Sequence, residues 1–171
     1  MRGFKFAALA VFVAFQSFQL GGCAGPAALE SQTKQRDARL ARMYFLRESR
    51  MVAGGTSAEI KVDGTPVGTV VGGTYFFVDR PPGMYKLSAA TSLSAAYEAE
   101  TRVEAGQTYY YGIGVPEVGP IGMQLINHVT AGSSGQQMRS TSPLMDGFSG
   151  AALFQLDAIS GAAAISQLKA Q

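Results

Sequence analysis

The sequence predicts an all-β fold, an antiparallel β-sandwich of about seven or eight strands with a short C-terminal α-helix, and three observations carry that expectation. Between Ala41 and Val115, apolar and polar residues alternate with period two in one short run after another. The runs are separated by turn dipeptides and tripeptides, Asp63-Gly64, Gly72-Gly73, Pro81-Pro82-Gly83 and Ala105-Gly106-Gln107, at a spacing of about 10 residues. Gly (21) and Pro (7) among 171 residues supply enough such punctuation for a chain of short strands.

Each element has its own reason. In Ala41–Arg47, Met43, Phe45 and Arg47 lie on one face and Tyr44 and Leu46 on the other; a run apolar on both sides suits a strand covered on both faces. Ala58–Val62 alternates cleanly, and Asp63-Gly64 closes a hairpin because both positions tolerate positive φ. Pro66–Val70 is the return strand. Thr74–Val78 follows Gly72-Gly73 and stops at Pro81-Pro82-Gly83. In Met84–Thr91, Tyr85, Leu87 and Ala89 oppose Lys86 and Ser88. In Ala95–Glu104, Glu98, Glu100, Arg102 and Glu104 share a polar face, while Tyr97, Ala99, Thr101 and Val103 share an apolar one. Thr108–Val115 completes the series, with Tyr109 and Tyr111 on one face and Tyr110 on the other. A tyrosine at such a strand start can bond back to the preceding turn. Beyond Pro116 the pattern weakens: Gly122–Val129 is a further candidate strand, Gly132–Ser142 a loop, and Ala151–Leu156 a last strand. Asp157 can cap a helix whose apolar stripe is Ala158, Gly161, Ala162, Ile165 and Leu168. Gly161 weakens that helix by about 1 kcal/mol relative to Ala, so the helix has to pack on the sheet.

The N-terminus has a different composition. Met1–Lys5 is cationic, and Phe6–Phe18 is an apolar run broken only by Gln16 and Ser17. That run has the length of a signal-peptide core and falls short of the ~20 residues that span a bilayer. Leu20-Gly21-Gly22-Cys23 follows, holding the only Cys of the chain. It resembles the lipobox of bacterial lipoproteins. Small side chains at Gly21 and Gly22 admit the peptidase, and the Cys23 thiolate forms the thioether to diacylglycerol. The resemblance implies division of the chain into a signal peptide (1–22), a lipidated Cys23 with a flexible tether (23–40) and a sandwich domain (41–171). Two or more acyl chains, palmitate among them, give stable anchoring where one does not. Ala24 rather than Asp after Cys23 implies sorting to the outer membrane, with the domain on the periplasmic side of its inner leaflet. As a coil the tether reaches roughly 23 Å, enough for the domain to stand clear of the lipid. A short helix over Leu29–Arg39, with Glu30 and Lys34 paired, is the other conformation open to it.

Val62-Asp63-Gly64, Val67-Gly68, Gly73-Thr74-Tyr75-Phe76, Pro82-Gly83 and Ala105-Gly106-Gln107-Thr108-Tyr109-Tyr110 occur in that order. Together they resemble a domain-of-unknown-function family of bacterial lipoproteins and, more distantly, PEGA-type β-sandwich modules. The chain departs from that family in having Met84-Tyr85 after Pro-Gly, where a His or another polar residue is frequent. The resemblance implies an envelope-located sandwich and supplies no reaction, cofactor or ligand.

The chemistry readable from residue types is sparse. One Cys and one His exclude an intrachain disulfide and a multi-ligand Cys/His zinc site. The formal charge is +2, and without Arg2 and Lys5 the balance is 12 against 12, so nothing points to nucleic acid. His128, in an apolar run with Leu125, Ile126 and Val129, lacks a Gly-x-Ser-x-Gly elbow to serve. Glu98, Glu100 and Glu104 read as a solvated sheet face interrupted by Arg102. Gly112-x-Gly114 and Gly132–Gly135 lack the strand–turn–helix setting of a phosphate loop. The many aromatic residues on strands weigh toward core packing; the candidate ligand face, for a sugar or a peptide, is Tyr75, Phe77, Tyr109 and Tyr111. The expected function is that of a lipid-anchored envelope lipoprotein, a non-enzymatic binding or structural module without a cofactor. Its expected partners are the membrane and an envelope protein or glycan. The alternatives are an accessory subunit of an envelope complex, marked by an apolar patch near Phe148–Leu156, and a glycan-processing or hydrolytic enzyme.

Overall fold

A computed structural model describes residues 29–49, 57–92, 95–117, 133–141 and 150–171. Among these residues the chain forms ten strands and one helix: β1 (Ala41–Arg47), β2 (Ala58–Val62), β3 (Thr65–Val70), β4 (Thr74–Arg80), β5 (Gly83–Thr91), β6 (Tyr97–Val103), β7 (Thr108–Gly114), β8 (Gln136–Gln137), β9 (Ala152–Leu156), α1 (Ala158–Ser166) and β10 (Lys169–Ala170). The strands make two sheets, β10-β4-β1-β7-β9-β8 and β3-β2-β5-β6. This is the expected all-β sandwich with a C-terminal helix. It differs from the expectation in two pairings, β1 with β7 and β10 with β4, which are parallel. It also differs in the loop expected over Gly132–Ser142, where Gln136–Gln137 pairs with the edge of β9. The candidate strand Gly122–Val129 lies outside the described residues.

The turns do what their residues allow. Asp63 and Gly64 have φ of 48° and 76°, as a two-residue hairpin between β2 and β3 requires. The hairpin tip is held against β5, where Asp63 N–H donates to the Lys86 carbonyl and Lys86 N–H donates to the Asp63 carboxylate, each at 2.8 Å. At the start of β7, Tyr109 behaves as expected: its hydroxyl accepts the Glu104 N–H at 2.9 Å and braces the preceding turn.

Between the sheets, Met43, Phe45, Phe76, Val78, Tyr111, Ile113 and Phe154 meet Ile60, Val67, Val70, Leu87, Tyr97, Ala99 and Val103, all buried. The Phe45 ring lies 5.4 Å from Phe76 and 5.5 Å from Tyr111. The Tyr111 hydroxyl finds Thr101 across the core at 2.9 Å, as a buried polar group must. Burial raises its pKa to about 12.

The outer face of the six-stranded sheet carries α1. Asp157 caps it, accepting from the N–H groups of Ile159 and Ser160, and these bonds, Ser160 first, hold its carboxyl below the usual range. The packed stripe is Gly161, Ala164, Ile165 and Leu168, against Leu46, Tyr110 and Leu156. Ala158 and Ala162, expected in that stripe, are exposed. Gly161 is the reason the helix can lie so close: a Cβ there would stand 2.2 Å from Tyr110 Cγ. Helix propensity alone makes Gly161→Ala stabilising by about 1 kcal/mol. The contact with Tyr110 reverses the sign, and urea denaturation should show Gly161→Ala destabilised by about 1–3 kcal/mol.

Candidate functional site

Residues 29–40, expected as part of a free tether, form turns that lie against the domain, and no helix spans them. Leu29 packs on the core at the rim where β3 faces β4; a Cβ on Gly68 would stand 2.5 Å from the Leu29 side chain, so Gly68 makes the seat. Gln32 uses its amide as a strand substitute. Its Oε1 accepts the Phe77 N–H at 2.7 Å and its Nε2 donates to the Phe77 carbonyl at 3.1 Å. Farther along β4, β10 bonds the same edge, with Lys169 N–H on the Gly73 carbonyl and Gln171 N–H on the Tyr75 carbonyl. An open strand edge is an aggregation template, and segments near both ends of the chain close this one. Glu30 pairs with Arg80 at 2.5 Å, and Arg36 bonds the Gly106 carbonyl.

The same face of β1, β4 and β7 presents a line of rings. Tyr44 lies 5.8 Å from Tyr75, 5.4 Å from Phe77 and 5.3 Å from Tyr110, the last pair stacked. Tyr44 and Tyr75 are half-buried. The line ends on Arg42, whose guanidinium stands 3.8 Å above the Phe77 ring and forks onto Asp79 at 2.8 and 3.0 Å. The Asp79 side chain is only 2 % exposed; Lys34, at 4.0 Å, is its second cation. The bond to Asp79 raises the Arg42 pKa above its ordinary value. Arg42 also bonds the Lys34 carbonyl, which ties residues 29–40, a strap across the domain, to the sheet. Phe77 and Tyr110 are buried in this line, under Arg42 and α1, so Tyr44 and Tyr75 are its only partly open rings.

The four residues expected as one ligand face are divided between two. Tyr75 and Phe77 belong to this outer line, whereas Tyr109 and Tyr111 point into the sandwich and pack in its core. Strand register decides this, because Phe45 aligns with both Phe76 and Tyr111 and so puts Tyr111 on the side opposite Phe77. Tyr44, Tyr110 and Arg42 were missed as members of the line; the Tyr44–Leu46 parity was the available signal. Cys23, Leu20, Gly21, Gly22 and His128 lie outside the described residues. Glu98, Glu100 and Glu104 do face outward, with Glu98 paired to Lys86 at 2.5 Å. Among the described residues no group of three His, Cys, Asp or Glu side chains could hold a metal ion. A groove of about 480 Å³ beside α1 is lined by Glu48, Ser49, Ser134, Ser160 and Gln167. Ser160 there is engaged by the Asp157 carboxylate at 2.7 Å. Of the stretch Phe148–Leu156, residues 151–154 and Leu156 are buried and make no surface patch; 148 and 149 are outside the described residues.

Fold and surface together define a two-sheet β-sandwich domain with one helix-braced aromatic face. Residues 37–121, which include β1 to β7, match the family described as Protein of unknown function (DUF2846). The match supports a domain of unknown function, in keeping with the motif order, and does not extend to PEGA-type modules. No curated protein matches the chain.

Arg42→Leu should cost about 3 kcal/mol, because it leaves the buried Asp79 carboxylate with Lys34 at 4.0 Å as its remaining cation partner. Arg42→Leu combined with Asp79→Leu should cost less than the single change, since no charge is then left buried; chemical denaturation of both variants checks the order.

Proposed function

We propose that this protein is a lipid-anchored lipoprotein of the bacterial cell envelope whose β-sandwich is a non-enzymatic binding or structural module. The observation that carries the reading is Leu20-Gly21-Gly22-Cys23, placed behind a cationic start and an apolar run and containing the chain's only Cys. Cys23 is then the first residue of the mature chain, and its acyl chains hold the domain on the periplasmic face of the outer membrane. One further feature supports the reading: the half-buried Tyr44 and Tyr75 of the outer aromatic line are left for stacking against a glycan or a peptide of the envelope.

Intact mass and membrane fractionation of the wild type beside Cys23→Ala test this reading. The wild type is expected to begin at Cys23, to carry acyl mass and to pellet with the outer membrane, and Cys23→Ala to lose all three. Wild-type protein that is soluble and unacylated would overturn it.

A further inference from the structure

Resting on the lipid-anchor reading, we propose that the sandwich stands directly on the bilayer through its β3–β4 rim, with the β6–β8 rim turned away from the lipid. The first ground is the length of chain between anchor and fold. Leu29 is already seated at the β3–β4 rim, six residues after Cys23. As a coil that stretch spans about 13 Å, against roughly 23 Å for the seventeen-residue tether, and it leaves from one particular rim. The long tether read from composition, which would let the domain stand clear and rotate, is shortened because residues 29–40 are bound to β4 by Gln32 and Glu30, to β1 by Arg42 and to the β6–β7 turn by Arg36.

The second ground is independent and concerns charge. β3 and β6 are the two edge strands of the four-stranded sheet. Exposed edges are ordinarily blunted by charged side chains. β6 follows that rule, with Glu98, Glu100 and Arg102 outward and Glu104 just beyond. β3 does not: Thr65–Gly73 contains no charged residue, Thr65 and Thr69 are exposed, and Val71 is 41 % exposed. The charges at the β3–β4 rim belong to the strap and its pairings, Glu30 with Arg80 and Lys34 beside Asp79; β3 itself loses little on meeting a lipid surface, whereas the carboxylate-rich β6 would be desolvated there and repelled by anionic headgroups. The strap therefore holds toward the membrane the edge that tolerates it. At the opposite rim, Thr141 N–H bonds the Glu98 carbonyl and the Tyr97 hydroxyl bonds the Met138 carbonyl.

The test uses the full-length acylated protein in vesicles of phosphatidylethanolamine and phosphatidylglycerol carrying a headgroup nitroxide. A fluorophore is placed at Thr69→Cys or at Glu100→Cys, with Val71→Cys and Arg102→Cys as a second pair should either first variant fold poorly. Three strand spacings separate β3 from β6 by about 14 Å, so quenching should be roughly threefold or more stronger on β3. A long Gly/Ser spacer inserted after Ala24 should erase the contrast. Equal quenching at both rims in protein whose mass shows acylation overturns this orientation and leaves the anchor reading standing. A β3 probe shielded from aqueous iodide yet unquenched by lipid also overturns it, since the rim is then covered by protein. Unacylated protein overturns both.

Discussion

The closure of the β3–β4 rim is the constraint on which the rest of the structure depends. Two sheets pressed face to face leave an open seam along each side, and the six-stranded sheet exposes the edge of β4 at one of them. Leu29 fills that seam because Gly68 leaves room for it, and Gln32 gives Phe77 the donor and acceptor that a neighbouring strand would have supplied. β10 completes the same edge at Thr74 and Tyr75. The rim is therefore finished by short polar and apolar contacts from segments near the two ends of the chain, and the domain as a folded unit begins before its first strand.

The central strand β1 ties this rim to the aromatic surface. It pairs antiparallel with β4 and parallel with β7, so its inward residues Met43 and Phe45 fill the sandwich while Arg42, Tyr44 and Leu46 look outward under the strap and α1. Arg42 serves both sides of that arrangement. Its fork neutralises the buried Asp79, its plane covers Phe77, and its bond to the Lys34 carbonyl fastens the strap. The outer face is thereby fastened at both ends, with Tyr44 and Tyr75 left half-open between them.

Local features were legible in the sequence and long-range ones were not. Period-two alternation located β1 to β7 and β9, Asp63-Gly64 located the hairpin, Asp157 located the helix start, and Tyr109 was recognisable as a turn brace. Each of these depends on residues within a few positions of one another. The parallel pairing of β1 with β7 joins residues far apart in the chain, and nothing in either strand encodes the partner. The division of the aromatic residues follows from the same limit: Tyr75 shares a face with Phe77 by parity, and Tyr109 with Tyr111, but only the register between β4, β1 and β7 sets the two pairs on opposite sides. Gly161 looked like a helix penalty because the Tyr110 ring that requires it lies on another element. Residues 29–40 looked like a tether because a side-chain amide that replaces a strand leaves no periodicity to detect.

For function, the decisive point is where the folded unit begins. If Cys23 carries the proposed anchor, a strap bound a few residues later restricts which rim faces the membrane, where a free coil would leave the domain any orientation. Native-state amide hydrogen exchange across 29–40 and at Phe77 tests this most directly. The account predicts that the Phe77 and Leu40 amides are protected to a degree comparable with the amides of β4 and β1, and that the Phe77 amide loses protection in Gln32→Ala. Exchange of the whole 29–40 segment at the rate of an unstructured peptide, with Phe77 unaffected by Gln32→Ala, would contradict it.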